Sequence, residues 1–172
     1  MTNIATQKDL TSATQPDWIR EQKRFFEWNP SKSLLQSVRC HQKLQASNSI
    51  LARFCKKIII IQHRFWSIVT GAEIPINGRI GGGLLIPHPN GIVIHPDAVI
   101  GPNCLIFQQV TIGAGPGVTL PVIGGHVDIG AGAKILGAVT IGDHVKIGAN
   151  AVVITDVPAG KTAVGVPARI VD

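Results

Sequence analysis

The feature that most constrains this chain is a six-residue beat of aliphatic residues in its second half. Ile74, Ile80, Ile86 and Ile92 fall six apart, and after a slip of two residues the beat resumes at Ile94, Ile100, Ile106 and Ile112. An eleven-residue step then leads to Ile123, Ile129, Ile135, Ile141, Ile147 and Val153. Glycine follows the aliphatic residue at Ile80, Ile100, Ile112, Ile123, Ile129, Ile141 and Ile147. A helix, repeating about every 3.6 residues, cannot hold this beat, and plain strand alternation does not predict the glycines. A short strand followed by a tight corner does. The aliphatic side chain points inward, and glycine tolerates a backbone turn that a Cβ would resist. Three such units close a triangular coil of eighteen residues, and stacked coils build continuous apolar columns.

The rest of the chain is different material. All 19 glycines lie from Gly71 onward, whereas Trp18, Trp28, Trp66 and four of the five phenylalanines precede it. Residues 1–70 carry 11 Lys or Arg against 4 Asp or Glu, while residues 71–172 carry 5 against 6. The basicity therefore belongs to one segment, and two architectures join near Gly71. Residues 1–15 read as a disordered leader without the apolar core of a secretory signal. Pro16-Asp17 opens a helical stretch ending near Asn29-Pro30. Ser31 caps a second helix to about Ala46, and Ser47 or Asn48 caps a third to Thr70, with Gly71 as its stop.

On that third helix Arg53, Lys57 and Arg64 share one stripe, with Lys56 and His63 beside it, and most of the remaining circumference is apolar. Its charges sit too centrally for a membrane span. Packing against sister helices and other subunits is the plain reading, and peripheral contact with anionic lipid is the second. Nucleic acid is not expected, because no recognisable module accompanies the charge. Cys40, Cys55 and Cys104 are too widely spaced for a disulfide framework or a zinc site, which suits a reducing cytoplasm.

Tandem Ile-Gly-x-x-x-x hexads resemble those of the hexapeptide-repeat acyltransferases. The runs IGAGAKILG (129–137), IGDHVKIGANAVV (141–153) and AVGVPARIV (163–171) are similar to the serine acetyltransferase branch. The resemblance covers about residues 70–172. It implies a mainly β fold, a left-handed parallel β-helix after an α-helical N-terminal segment, and assembly as a homotrimer or a dimer of trimers. It also implies acetyl-CoA as co-substrate, with no metal, and a hydroxyl acceptor.

Chemistry on a solenoid is expected where the period breaks. The first break is IPHPNGIVIHPDA, around the slip, and the second is the insertion from Gly113 to Pro121. In the resemblance Pro87-His88-Pro89-Asn90-Gly91-Ile92-Val93 matches the catalytic stretch, with His88 on the catalytic histidine. Glu73, fifteen residues earlier, stands where the family has the carboxylate that orients it. Acetyl transfer to a hydroxyl needs a base titrating near neutrality, and a carboxylate-held imidazole fits. The same resemblance assigns Gly113, Ala114, Ala131 and Ala149 to the pantetheine arm of the cofactor. Arg169, chosen over Lys134, Lys146 and Lys161, is assigned to the nucleotide phosphates. His126 and His144, eighteen apart, are read as a stacked surface corner rather than metal ligands, and Cys104 as a small buried residue.

Three departures bear on the acceptor. Pro87 stands where serine acetyltransferases place an Asp, and Thr119-Leu120 where they place Arg-His. The isoleucine-ended tail that docks cysteine synthase has no counterpart, since the sequence stops at Ile170-Val171-Asp172, so that docking is not expected. The expectation is an acetyl-CoA-dependent O-acetyltransferase giving O-acetylserine from L-serine. A saccharide O-acetyltransferase is the alternative of the same class, and a non-catalytic β-helix scaffold the alternative of another.

Overall fold

The computed structural model describes residues 11–24, 27–47, 49–115 and 119–171. Most of the expected leader (residues 1–10) and the candidate cap Asn48 lie outside them. From Ser12 onward the leader is not free: Asn103, fully buried, donates from Nδ2 to Ser12 O and Gln15 O at 2.7 Å each and accepts Asp17 N at 2.7 Å. The helix expected over 16–29 is a single 3-10 turn, Trp18–Glu21, opened by the Asp17 carboxylate accepting Ile19 N. Tertiary anchors outweigh helical preference in this strip. Arg20 donates to Asn103 O, and Glu21 accepts both the Leu84 backbone N–H at 2.9 Å and the Arg39 guanidinium.

Helix α1 (Pro30–Leu44) starts two residues before the expected position because Asn29, not Ser31, caps it, accepting Lys32 N at 3.1 Å with Pro30 in the first turn. Helix α2 (Ile50–Thr70) is capped by Ser49 and stops at Gly71, whose φ of 64° is the left-handed conformation glycine adopts freely. Two buried side chains join these helices to the coils. Arg39 donates to Ile80 O at 2.7 Å and Gly81 O at 2.6 Å while paired with Glu21. His63 lies 2.8 Å from Ser37 Oγ and 2.9 Å from Ile74 O. This corrects the basic stripe: Arg53, Lys57 and Arg64 are exposed, but His63 faces α1 and the first coil, and burial holds its pKa below the usual 6.5.

Thirteen short strands follow among the described residues: β1 (Arg79–Ile80), β2 (Val93–Ile94), β3 (Val99–Ile100), β4 (Leu105–Ile106), β5 (Thr111–Gly113), β6 (Val122–Ile123), β7 (Asp128–Ile129), β8 (Lys134–Leu136), β9 (Thr140–Ile141), β10 (Lys146–Ile147), β11 (Val152–Val153), β12 (Thr162–Val164) and β13 (Arg169–Val171). They form three parallel sheets, the faces of a triangular coil. One face is β2-β5-β8-β11, the next β1-β3-β6-β9, and the third β4-β7-β10-β12, on which β13 turns back antiparallel.

Register shows where the coil departs from eighteen residues. Val93 pairs with Thr111, and Val122 with Thr140, at the expected eighteen. Arg79 pairs with Val99, twenty on, and Val99 with Val122, twenty-three on. The first excess is two residues at the corner after Ile86, and the second is five in the insertion after Ile112. All fourteen aliphatic anchors are at most 5% exposed. A second inward set sits two residues before each anchor: Ala98, Cys104, Val110, Val127, Ala133, Val139, Val145 and Ala151, all buried. Ile92 belongs to this set, as partner of Ile94, rather than to the anchors. The apparent slip is therefore a corner lengthened by two residues, and it is the corner that carries His88.

Candidate active site

The corner between the third and first faces repeats in every coil as a left-handed residue: Gly91, Gln109, Gly132 and Asn150, with φ of 71°, 59°, 74° and 56°. The preceding residues form a column of their own, tied coil to coil by backbone hydrogen bonds of 2.8–2.9 Å from Gln109 N to Asn90 O, Gly132 N to Gln108 O and Asn150 N to Ala131 O. Asn90, Gln108, Ala131 and Ala149 thus line one edge of the prism. His88 projects, exposed, from the lengthened corner at one end of that edge, its backbone set by Pro87 and Pro89. At the other end Gly165 O accepts Val152 N, and Ala168 N donates to Val152 O, which brings the start of β13 and Arg169 to the same edge. Four coil steps at about 4.8 Å each separate the two ends by roughly 19 Å. That span is of the order of an extended phosphopantetheine arm.

Glu73 stands elsewhere. It bridges Val93 in parallel register and heads the outward row Glu73, Val93, Thr111, Lys134 and Val152 on the first face. Neither Glu73 nor His88 makes a side-chain hydrogen bond among the described residues, so no such bond joins the two within this chain. Gly113 and Ala114 lie at the far edge of that face, where Gly137 N donates to Gly113 O at 3.1 Å. Ala114, Gly115, Thr119, Leu136 and Gly137 border an open groove of about 600 Å³ there. Three expected residues (Ala131, Ala149 and Arg169) therefore share an edge with His88. Gly113 and Ala114 sit one strand width away, ~10 Å for three residues of strand.

Two further residues stand at this edge: Gln108, which nothing in the sequence singles out, and Lys134, passed over there in favour of Arg169. Gln108 lies one coil from Asn90, with its side-chain oxygen buried and unpartnered among the described residues. Lys134 Nζ donates to Gln109 O at 2.5 Å, fixing a cation beside the column. Register arithmetic across the twenty-three-residue coil would have aligned Gln108 with Ala131; the eighteen-residue spacing alone does not.

Other candidates resolve more simply. Cys104 is fully buried and its thiol is pushed up to about 11 by that burial, so it is no thiolate nucleophile at neutral pH. His126 and His144 stack on adjacent coils with rings 5.0 Å apart and Nδ1 atoms 2.8 Å apart. No group of three or more His, Cys, Asp or Glu among the described residues is placed to hold a metal ion.

Known proteins place this architecture. Residues 121–155 match the family described as bacterial transferase hexapeptide (six repeats). A serine acetyltransferase of Synechocystis sp. is 42% identical over 159 residues, covering 86% of this chain and 63% of that protein. One from Staphylococcus epidermidis is 38% identical over 159 residues, covering 87% of this chain and 75% of its own length. A solved serine acetyltransferase in complex with CoA superposes with a TM-score of 0.68 at 36% identity, over 84% of this chain and 57% of that one. The chain thus spans less than two thirds of the cyanobacterial relative and of the solved chain. The fold they share is the left-handed parallel β-helix that the family resemblance implied. On the coverage of the staphylococcal relative and the three-faced coil together, this chain belongs to the serine acetyltransferase family of hexapeptide-repeat transferases.

Proposed function

We propose that this chain is an acetyl-CoA-dependent O-acetyltransferase of the serine acetyltransferase type, with L-serine as first acceptor and O-acetylserine as product. The observation that carries the reading is the edge on which His88 projects in line with Ala131, Ala149 and Arg169, in a chain whose relatives are named serine acetyltransferases. Thioester chemistry fits that edge. The backbone of Ala131 and Ala149 is open to an extended pantetheine chain, Arg169 meets the phosphates, and Ala114, next to Gly113, borders the groove at the far side of the same face.

In the proposed step His88 takes the proton of the acceptor hydroxyl as that oxygen attacks the thioester carbonyl. Backbone or side-chain donors hold the resulting oxyanion. The tetrahedral species then collapses, the carbon–sulfur bond breaks, and His88 returns its proton to the departing CoA sulfur. Glu73 is the proposed partner of the imidazole, its contact made as ligands close the site, since such hydrogen bonds are often long without substrate. No metal enters this step. A homotrimer, or a dimer of trimers, is the assembly we propose, with the site completed between subunits. The three unpaired thiols, one buried and two half-buried, suit a cytoplasmic setting.

Thiol release from acetyl-CoA, assayed with serine and with a panel of sugars, tests this. His88→Ala is expected to lower turnover at least ~100-fold, the usual size of a general-base effect. Near-normal turnover removes His88 from the mechanism, and serine giving no rate above hydrolysis removes serine. A second reading, a saccharide hydroxyl as acceptor, is favoured by one observation. Pro87, Thr119 and Leu120 offer no charge to an amino acid's ammonium and carboxylate, which need such partners when buried.

A further inference from the structure

Helix α2 has two unlike sides. One carries Ala52, His63 and Thr70, buried against α1 and the first coil. The other carries Leu51, Phe54, Ile58, Ile61, Phe65 and Ile68, which are 51–82% exposed. Their spacing alternates three and four residues, so they form one stripe along the whole helix. Ile50 and Val69 extend it at both ends, 86% and 42% exposed. A stripe of eight large apolar side chains exceeds what isolated surface residues explain. Arg53, Lys57 and Arg64, all exposed, run along one border. Helices α1 and α2 together contain seven Lys or Arg and no Asp or Glu.

From this pairing of an apolar stripe with an uncompensated cationic border, we propose that α2 docks in the plane of an anionic lipid surface. The stripe enters the acyl boundary, and Arg53, Lys57 and Arg64 reach the headgroup phosphates. Among the described residues no helix is long and apolar enough to cross a membrane, which leaves the in-plane arrangement. A second copy of α2 fits the charge less well. In an antiparallel pair the rows of Lys57 and Arg64 meet their own kind; in a parallel pair they face Cys55, Gln62 and Val69, and no carboxylate answers them. Phosphate headgroups supply the missing counter-charge. Docking would also fix the orientation of the coils, because α2 ends at Gly71, whose carbonyl accepts Gly91 N at 2.8 Å beside the His88 corner. The stripe therefore runs up to that corner.

Co-sedimentation of the full chain with vesicles tests the proposal without any assay of acetyl transfer. Binding is expected to vesicles of mixed phosphatidylglycerol and phosphatidylcholine, to weaken as salt rises, and to be absent with phosphatidylcholine alone. The combined variant Arg53→Gln, Lys57→Gln and Arg64→Gln is expected to lower partitioning about 100-fold. Its surface changes leave the buried contacts of α2 intact, and a circular dichroism spectrum like the parent's checks that. Ile61→Ser with Phe65→Ser is expected to lose binding while keeping the parent's mass by light scattering. A parent chain that ignores anionic vesicles, or a triple variant that binds as well as the parent, overturns the proposal. Loss of oligomeric mass in the Ile61 and Phe65 variant, with no vesicle binding by the parent, assigns the stripe to a second copy instead.

Discussion

The coils and the helices of this chain solve the same problem in opposite ways. In the coils each apolar residue finds its cover one turn away along the same chain, so the anchors stack into closed columns. In α2 the apolar residues outnumber the neighbours available to cover them, and one face remains open. The first region is complete by repetition; the second depends on something outside the monomer, or on a surface. Ordered by the size of the expected effect, three substitution experiments probe that contrast.

The largest compares one residue type in both regions. Ile129 is fully buried between its neighbours on β4 and β10, whereas Ile58 is 51% exposed. Ile129→Ala is expected to cost about 2–5 kcal/mol, lost transfer energy plus the cavity that the flanking coils cannot close. Ile58→Ala should stay within ~0.5 kcal/mol, as surface changes do. Denaturant midpoints of the two variants measure the difference. Equal losses would mean that α2 is covered in solution, and the contrast between the regions would fall.

The second probes the seam between the regions. Asn103 holds the left-handed corner between β3 and β4, at a φ of 61°, and its amide makes three hydrogen bonds to the backbone of Ser12, Gln15 and Asp17. Asn103→Gly keeps the corner conformation and removes all three. About 1–3 kcal/mol of local stability should go with them, since buried groups are left without partners. Limited proteolysis reads this directly: the N-terminal strip should become cleavable while the coils remain resistant. A strip that stays protected would place its main anchor at Arg39 and Glu21 instead.

How much of this was legible in the sequence follows from the same contrast. A period of six is a local rule repeated many times, so the triangular coil, the anchor columns and the stacked His126 and His144 could be read from spacing, whereas the left hand of the coil came only from the family resemblance. The strip at residues 12–24 could not, because its conformation is set by Asn103, Leu84 and Arg39, all distant in sequence. His63 was misread for a related reason. Helical periodicity placed it beside Arg64, but the side facing the coils is fixed by Ser37 and Ile74, which no periodicity of α2 reveals. At the candidate site His88 was visible as a break in the period. Its edge partner Gln108, and the place of Lys134 beside it, emerged only once the twenty-three-residue register was known.

His63 gives the smallest effect and the sharpest test of the seam. Ile74 O can only accept, so the neutral ring carries its proton on Nε2, and its Nδ1 lies 2.8 Å from Ser37 Oγ, whose one proton also has Leu34 O within reach at 2.6 Å. Burial disfavours the charged ring and lowers its pKa from 6.5. The unfolded chain then takes up the proton first as pH falls, so the unfolded state binds more protons within the window below 6.5. The stability contributed by neutral His63 is therefore complete above pH 6.5 and is lost progressively as pH drops through the lower, folded value. His63→Gln retains a donor for Ile74 O and removes the titration, so the difference in acid slope between parent and variant isolates this one ring. Because His63 joins α2 to the first coil, the loss should be local. Amide exchange in α2 and at Ile74 should quicken in acid while the columns around Ile129 stay protected, whereas a uniform loss across both regions would show that the helices and coils unfold as one unit.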